Sequence, residues 1–210
     1  MDVTLDEHNM AQRQGRVLVA MDVSGSMTAS AGQDTRSRFD VVSQSIQAAL
    51  PLMGVRDEIG LSLFPGDATA LTVRQAVPIG RRDEPLGPVT RGQAIIDELN
   101  RTAPSGNSPL FRAVVDGVVA VGPSNDSRVS GLVVLTDGED TTSGLSTAQV
   151  SDAVRGKEVR VFVISVGEAS CAAAPVPDVT MATGGACYEA DFESVDERLA
   201  EVLAVFFGGS

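Results

Sequence analysis

Three short apolar runs constrain the fold of this chain more than any other feature. Residues 17–21, 132–135 and 161–166 carry almost only Val, Leu, Ile, Met, Ala and Phe. A strand buried on both faces shows this continuous apolar pattern, whereas a strand with one wet face alternates apolar and polar residues. The runs therefore predict a mainly parallel sheet at the centre of the molecule, with helices covering both faces.

Stretches of helical character separate these runs. Phe39, Val42 and Ile46 recur at helical spacing, and Pro109 is placed for the first turn of a helix that continues to residue 121. Capping-box pairs predict the starts of three further helices, namely Thr90 with Gln93, Ser146 with Gln149, and Ser194 with Glu197. Because strands and helices alternate along the chain, we predict an α/β fold with a doubly wound sheet.

The sheet is predicted to have six strands, one of them antiparallel at an edge. Residues 59–63 alternate as a strand does, and a turn at 65–68 leads straight into a strand over 71–77. This connection is shorter than the dozen or so residues that a parallel crossover needs, so the second strand should run antiparallel at the sheet edge. A short strand over 186–190 is the last one.

Charge and composition exclude several classes of function. The chain of 210 residues has 28 acidic and 16 basic residues, which gives a net charge of −12. Nucleic acids bind through clustered Lys and Arg, but Lys157 is the only lysine, so we expect no nucleic-acid partner. No run approaches the roughly 18 apolar residues of a membrane span. The length fits one domain, predicted over 16–210, with residues 1–15 as a flexible N-terminal segment.

Residue types needed for catalysis are scarce. His8 is the one histidine and lies in a polar stretch, so no imidazole base is available for a Ser–His or Cys–His mechanism. The first run is not followed by the G-x-G-x-x-G sequence of a dinucleotide-binding loop. Ser24 stands where a haloacid-dehalogenase-like phosphatase has a second aspartate. We therefore predict no catalytic residues, no organic cofactor and no enzyme activity, with a metal-dependent hydrolase as the weaker alternative.

Polar residues follow two of the buried runs, and they predict a metal site. Asp22 ends the first run, and Asp137 follows the second. The loop after the first run offers Asp22, Ser24 and Ser26 at alternate positions, which face the same side of an extended segment. Oxygen ligands with few carboxylates suit a hard cation, Mg²⁺ first and Mn²⁺ second. The alternative is that these residues only form turns and helix caps, as Ser108 could do at the start of a helix.

The motifs in this order resemble the von Willebrand factor type A (VWA) domain and its metal-ion-dependent adhesion site (MIDAS). They are Asp22-Val23-Ser24-Gly25-Ser26, Gly106-Asn107-Ser108-Pro109-Leu110 and Thr136-Asp137-Gly138. The resemblance covers about residues 16–207 and implies a Rossmann-like sheet with one antiparallel edge strand. It also implies that the metal is held by Asp22, Ser24, Ser26, Ser108 and Asp137. Ser108 stands where the family usually has threonine, and the chain is most similar to bacterial members of actinobacterial type.

In this family a carboxylate from a protein partner completes the metal site. The resemblance therefore implies a metal-dependent, adhesion-type module whose protein ligand offers an Asp or Glu. Asp22 and Asp137 together bring two negative charges, which a divalent cation balances, so the loaded site does not repel an anion. The alternative within the same family is a cytoplasmic domain that acts beside an ATPase in complex assembly.

The cysteines bear on the choice between these alternatives. Cys171 follows the third buried run and Cys187 begins the last short strand, so a helical excursion between them would bring the two thiols together. We predict a Cys171–Cys187 disulfide, the alternative being two small buried thiols. A disulfide favours an extracellular or cell-surface location. Residues 1–15 lack the basic and apolar regions of a signal peptide, so we expect the chain to be part of a longer exported protein.

Overall fold

The computed structural model of the chain describes residues 13–32, 35–64, 73–125, 127–138 and 140–207. His8, most of the predicted N-terminal segment and the turn predicted at 65–68 lie outside these residues. In the described part the strands are β1 (Gln14–Asp22), β2 (Glu58–Phe64), β3 (Arg74–Arg81), β4 (Pro85–Leu86), β5 (Val89–Thr90), β6 (Arg128–Thr136), β7 (Arg160–Val166) and β8 (Cys187–Ala190). The α-helices there are α1 (Arg38–Ala49), α2 (Arg91–Arg101), α3 (Leu110–Val121), α4 (Thr147–Val154), α5 (Val176–Thr183) and α6 (Val195–Phe207). None of these helices is long and apolar enough to cross a membrane.

One mixed sheet forms the centre of the molecule. Its strand order is β3-β2-β1-β6-β7-β8. The β2–β3 pair is antiparallel, and the other four pairs are parallel. This topology confirms the predicted doubly wound, mainly parallel six-stranded sheet with one antiparallel edge strand. A small hairpin of β4 and β5 stands apart from the sheet and was not predicted.

Alternate residues of the central strand β1 pack against opposite layers of helices. Val17, Val19 and Met21 belong to a core shared with α1, α2 and α6. Leu18 and Ala20 belong to a second core, shared with α3, α4 and α5. All five side chains are at most 1% exposed. Both faces of the strand are therefore dry, which explains why the first apolar run has no polar positions.

Strand β1 begins earlier than its apolar run. Gln14 and Gly15, which the sequence pattern places in the N-terminal segment, belong to this strand. The Gly15 N–H donates to the carboxylate of Asp57 at 2.9 Å, and the Gln14 N–H donates to the Ser127 carbonyl at 2.9 Å. These partners are distant in sequence or lie in a loop, so no local pattern indicates the start of the strand.

The predicted capping boxes form to different extents. Ser146 and Gln149 cap α4 reciprocally, as predicted. Thr90 accepts a hydrogen bond from the Gln93 N–H, but the Gln93 side chain donates to Asp97 and not back to the cap. Only the first box is therefore complete.

The pair predicted at the start of α6 binds other partners. Ser194 Oγ donates to the carboxylate of Asp191 at 2.6 Å, and the Glu197 N–H donates to the carboxylate of Asp196 at 2.9 Å. Asp196 is the direct neighbour of Glu197, and Asp191 lies as many positions before Ser194 as Glu197 lies after it. Carboxylates are also stronger acceptors than a serine hydroxyl, so the predicted box is replaced.

Candidate metal centre

The carboxyl ends of β1 and β6 lie side by side in the middle of the sheet. The two strands are parallel neighbours with Met21 opposite Leu135, so Asp22 and Asp137 leave the sheet at the same edge. The chain proceeds from β1 to β2 and β3 on one side, and from β6 to β7 and β8 on the other. The strand order therefore reverses between β1 and β6, and doubly wound sheets bind ligands at such a point.

The loop after β1 brings its hydroxyl groups together through a short 3-10 turn that begins at Gly25. The Ser24 N–H donates to Asp22 Oδ1 at 2.8 Å, and the hydroxyl oxygens of Ser24 and Ser26 lie 3.0 Å apart. The Gly25 N–H donates to the Gly106 carbonyl at 2.8 Å, which ties this loop to the second motif. The three side chains expected to converge in this loop are therefore close to one another.

The second motif places Ser108 against Asp22. Ser108 is buried, and its hydroxyl donates to Asp22 Oδ2 at 2.9 Å. The Ser108 N–H donates to Thr141 Oγ1 at 2.8 Å, and the Thr141 N–H donates to the Ser108 carbonyl at 2.8 Å. The N-cap of α3 is Pro109, so the interpretation of Ser108 as a helix cap is wrong.

The third motif contributes Asp137, whose side chain is fully buried. Its Oδ1 accepts a hydrogen bond from Ser26 Oγ at 2.8 Å, and its Oδ2 accepts one from Arg38 Nη1 at 2.8 Å. Arg38 is the first residue of α1, and its guanidinium carbon lies 5.8 Å from the centroid of the Phe192 ring. One carboxylate of the site is thus paired with a permanent positive charge.

Two residues of this network lack a strong sequence signal. Thr136 Oγ1 donates to Asp22 Oδ2 at 2.8 Å. Thr136 is the last residue of β6, so its position beside Asp137 in the third motif is the one clue to this role. Arg38 is 99 positions away from Asp137, and no spacing rule connects the two.

Burial raises the pKa of Asp22 above its ordinary value, and hydrogen bonds from Ser24, Thr136 and Ser108 oppose this shift only in part. These donors are a backbone N–H and hydroxyl groups, all of them neutral. An ionised carboxylate in such surroundings is costly unless a cation lies beside it. A cation bound beside Asp22 would remove this cost.

The donor set fits a hard divalent cation. The hydrogen-bonded oxygens of Ser108 and Asp22, of Ser24 and Ser26, and of Ser26 and Asp137 lie 2.9, 3.0 and 2.8 Å apart. Neighbouring oxygen ligands of an octahedral Mg²⁺ with bonds of about 2.1 Å are separated by about 3 Å. Among the described residues, no group of three or more His, Cys, Asp or Glu side chains is placed to hold a metal. A cation at this site would therefore depend on two carboxylates, hydroxyl groups and water.

The predicted disulfide is confirmed. Cys171 and Cys187 are bonded, with their Cα atoms 5.6 Å apart, and the bond joins the loop after β7 to the edge strand β8. The Cys171 N–H also donates to the carboxylate of Glu189 at 3.0 Å. The loop is thus attached to β8 at two neighbouring points.

Solved structures of low sequence identity share this fold. A von Willebrand factor type A protein from Catenulispora acidiphila has a TM-score of 0.70 at 15% identity, over 92% of this chain and 42% of its own. Proximal thread matrix protein 1 from the mussel byssus, with a zinc-occupied MIDAS motif, has a TM-score of 0.65 at 12% identity, over 93% and 46%. The pilus adhesin SpaC from Lactobacillus rhamnosus GG has a TM-score of 0.67 at 14% identity, over 92% and 30%. No family model and no curated protein matches the sequence.

The chain therefore has the fold of a VWA domain. It spans less than half the length of each of these three proteins. Structural similarity at such low sequence identity is evidence for the fold alone, whereas function depends on the residues of a site.

Proposed function

We propose that the chain is a VWA-family domain that binds protein partners through a divalent cation. The cation would be held by Asp22, Ser24, Ser26, Ser108 and Asp137. One observation carries this proposal: these five residues, from three separate loops, join in a single network of side-chain hydrogen bonds and the Ser24 backbone N–H at the switch point of the sheet. Mg²⁺ is the expected ion because it is bound by few carboxylates and retains several waters, and Mn²⁺ is the second candidate.

The ligand proposed for the loaded site is an Asp or Glu carboxylate of a partner protein. A bound cation supplies a positive centre at the sheet edge, and the two site carboxylates do no more than balance its charge. A single carboxylate of the partner that reaches the bound cation then gains a direct ionic contact with it. The net negative charge of the chain weakens this attraction only slightly, because exposed charges at physiological salt are largely screened beyond about 8 Å.

We also propose an extracellular or cell-surface location, as part of a longer exported protein. The Cys171–Cys187 bond supports this, since disulfides persist in oxidising compartments and are rare in the cytosol. Two structural neighbours, a pilus adhesin and a byssal matrix protein, are named for such locations. The neighbour from Catenulispora agrees with the actinobacterial type. The same bond disfavours the cytoplasmic alternative beside an ATPase, and two free thiols in a mass spectrum without reduction would contradict this location.

The proposed role is non-enzymatic. The hydroxyl groups of Ser24 and Ser26 face each other, and that of Ser108 donates to Asp22. This arrangement of acids and hydroxyls suits a cation, and in the described part of the chain none of these three hydroxyls donates to an imidazole base of the kind that activates a serine nucleophile. A metal-dependent hydrolase therefore remains the weaker alternative.

Cation binding is tested by calorimetric titration with MnCl₂. Asp22→Asn removes one site carboxylate, and Asp152→Asn is the matched control because Asp152 is exposed on α4 and loses the same charge. We expect heat of binding from the wild type and the control, and none from Asp22→Asn. A folded wild-type protein that does not bind Mn²⁺ would contradict the metal site.

Protein binding is tested with the immobilised wild-type and Asp22→Asn proteins. Both are exposed to envelope proteins of the source organism in Mg²⁺ and then eluted with EDTA. We expect a partner that only the wild type retains, and replacing acidic residues of that partner by Asn or Gln should identify the metal-binding carboxylate. Retention in EDTA, or by folded Asp22→Asn, would show that binding does not need the cation.

A further inference from the structure

One carboxylate of the proposed metal site already has a counterion supplied by the fold. Arg38 Nη1 lies 2.8 Å from Asp137 Oδ2, and the Asp137 side chain is fully buried. The start of α1 positions Arg38 at the sheet edge, and the ring of Phe192 lies against its guanidinium at 5.8 Å. Arg38 is therefore held at both ends: its backbone belongs to α1, and its guanidinium group lies against the ring of Phe192.

Arg38 changes the charge of the site. Asp22 and Asp137 alone would present two negative charges to an entering cation, but with Arg38 they present one. A guanidinium stays protonated throughout the pH range in which proteins fold, so this reduction is permanent. A divalent cation that approaches Asp137 meets both a shared carboxylate and a like charge beside it.

We propose that Arg38 is an internal counterion of the metal site, which competes with the divalent cation for Asp137 and so lowers the affinity of the site for the metal. This inference rests on the proposed function, because it concerns the same site. In the metal-free protein, Arg38 stabilises the buried Asp137. In the loaded protein the cation takes over that role, and Arg38 becomes a nearby like charge.

Two opposite effects of the same substitution follow. Arg38→Gln removes the repulsion, so the dissociation constant for Mn²⁺ should fall about tenfold, the effect of a unit charge several ångströms from a divalent ion in a wet site. The same variant leaves Asp137 without its cation when no metal is present. Its melting temperature in EDTA should therefore fall below that of the wild type, and this difference should shrink in saturating Mn²⁺ because the cation binds the folded state.

The experiment combines Mn²⁺ calorimetry with thermal unfolding in EDTA and in saturating Mn²⁺. Arg38→Lys keeps the charge and should stay within about threefold of the wild-type affinity. Lys157→Gln is the matched control for net charge: Lys157 is exposed and precedes β7, at the end of the sheet opposite to the site. It should change neither the affinity nor the response of the melting temperature to Mn²⁺.

The possible outcomes separate this inference from the proposed function. If the wild type binds Mn²⁺ and Arg38→Gln binds it with equal or lower affinity, the counterion role is overturned and the metal site is retained. An Arg38→Gln protein that folds only with Mn²⁺ supports the role, whereas one that is unfolded in both conditions overturns it. If neither the wild type nor folded Arg38→Gln binds Mn²⁺, the metal site and the inference fail together.

Discussion

Two buried carboxylates in this molecule are stabilised in opposite ways. Glu98 on α2 is 1% exposed and forms ion pairs with Arg74 and Arg101. Asp22 at the end of β1 is equally buried, but it accepts hydrogen bonds from a backbone N–H and from the hydroxyls of Ser108 and Thr136. The fold thus gives Glu98 permanent positive partners, whereas Asp22 receives neutral ones.

This difference distinguishes a carboxylate that stabilises the fold from a carboxylate that can bind an ion. A buried carboxylate with arginine partners needs nothing from solution, and its contribution is the attachment of α2 to the edge strand β3. A buried carboxylate among hydroxyls keeps oxygens of suitable spacing available for an exchangeable ion. Asp137 lies between the two cases, because it accepts from Ser26 and from Arg38.

The largest effect on stability is expected at Glu98. Glu98→Gln should lower the free energy of unfolding by about 2 kcal/mol, because it removes the negative charge that two arginines share. The value lies below that of a fully buried pair since the side chains of Arg74 and Arg101 are 53% and 66% exposed. Urea unfolding in EDTA and in Mn²⁺ should give the same loss.

The control for this substitution is Glu201→Gln, which breaks the exposed pair of Glu201 with Arg198. Exposed pairs contribute little because water screens them, so the free energy of unfolding should not change measurably. A loss at Glu98 that depends on Mn²⁺ would show that the two carboxylates are not independent.

A smaller effect of opposite sign is expected at Asp22. In EDTA, Asp22→Asn should leave the free energy of unfolding unchanged or raise it by up to about 1 kcal/mol, because it removes a buried charge that has no cation. Mn²⁺ should stabilise the wild type and not this variant. A loss above about 2 kcal/mol in EDTA would mean that Asp22 has a structural role like that of Glu98.

The smallest effect on metal binding is expected at Ser108. Ser108→Ala should weaken Mn²⁺ binding about fivefold, or about 1 kcal/mol, because one oxygen ligand is lost. Ser108→Thr keeps the hydroxyl and adds the β-branch that restricts its rotamer, so calorimetry should give the wild-type affinity or a slightly tighter one. Equal weakening in both variants would place Ser108 outside the metal shell.

Local sequence patterns predicted most of the fold, because a strand that is buried on both faces contains almost only apolar residues. Residues 17–21 have no polar member since both faces of β1 are covered by helices. The same reasoning is weaker for helix starts, where several acceptors compete for each donor. The pair of Ser194 and Glu197 has the right spacing for a capping box, yet the carboxylates of Asp191 and Asp196 accept the hydrogen bonds of both backbone N–H groups.

The sequence by itself determined the sheet, its antiparallel edge strand and the loops at which Asp22, Ser108 and Asp137 stand. Each of these features depends on residues that are close in sequence, and short spacing rules describe such residues well. Only the tertiary structure decided which charge lies next to which. The contact of Arg38 with Asp137 and that of Thr136 with Asp22 span 99 and 114 positions. Charged groups interact when they are close in space, and a local sequence pattern does not show which distant residues the fold brings close together.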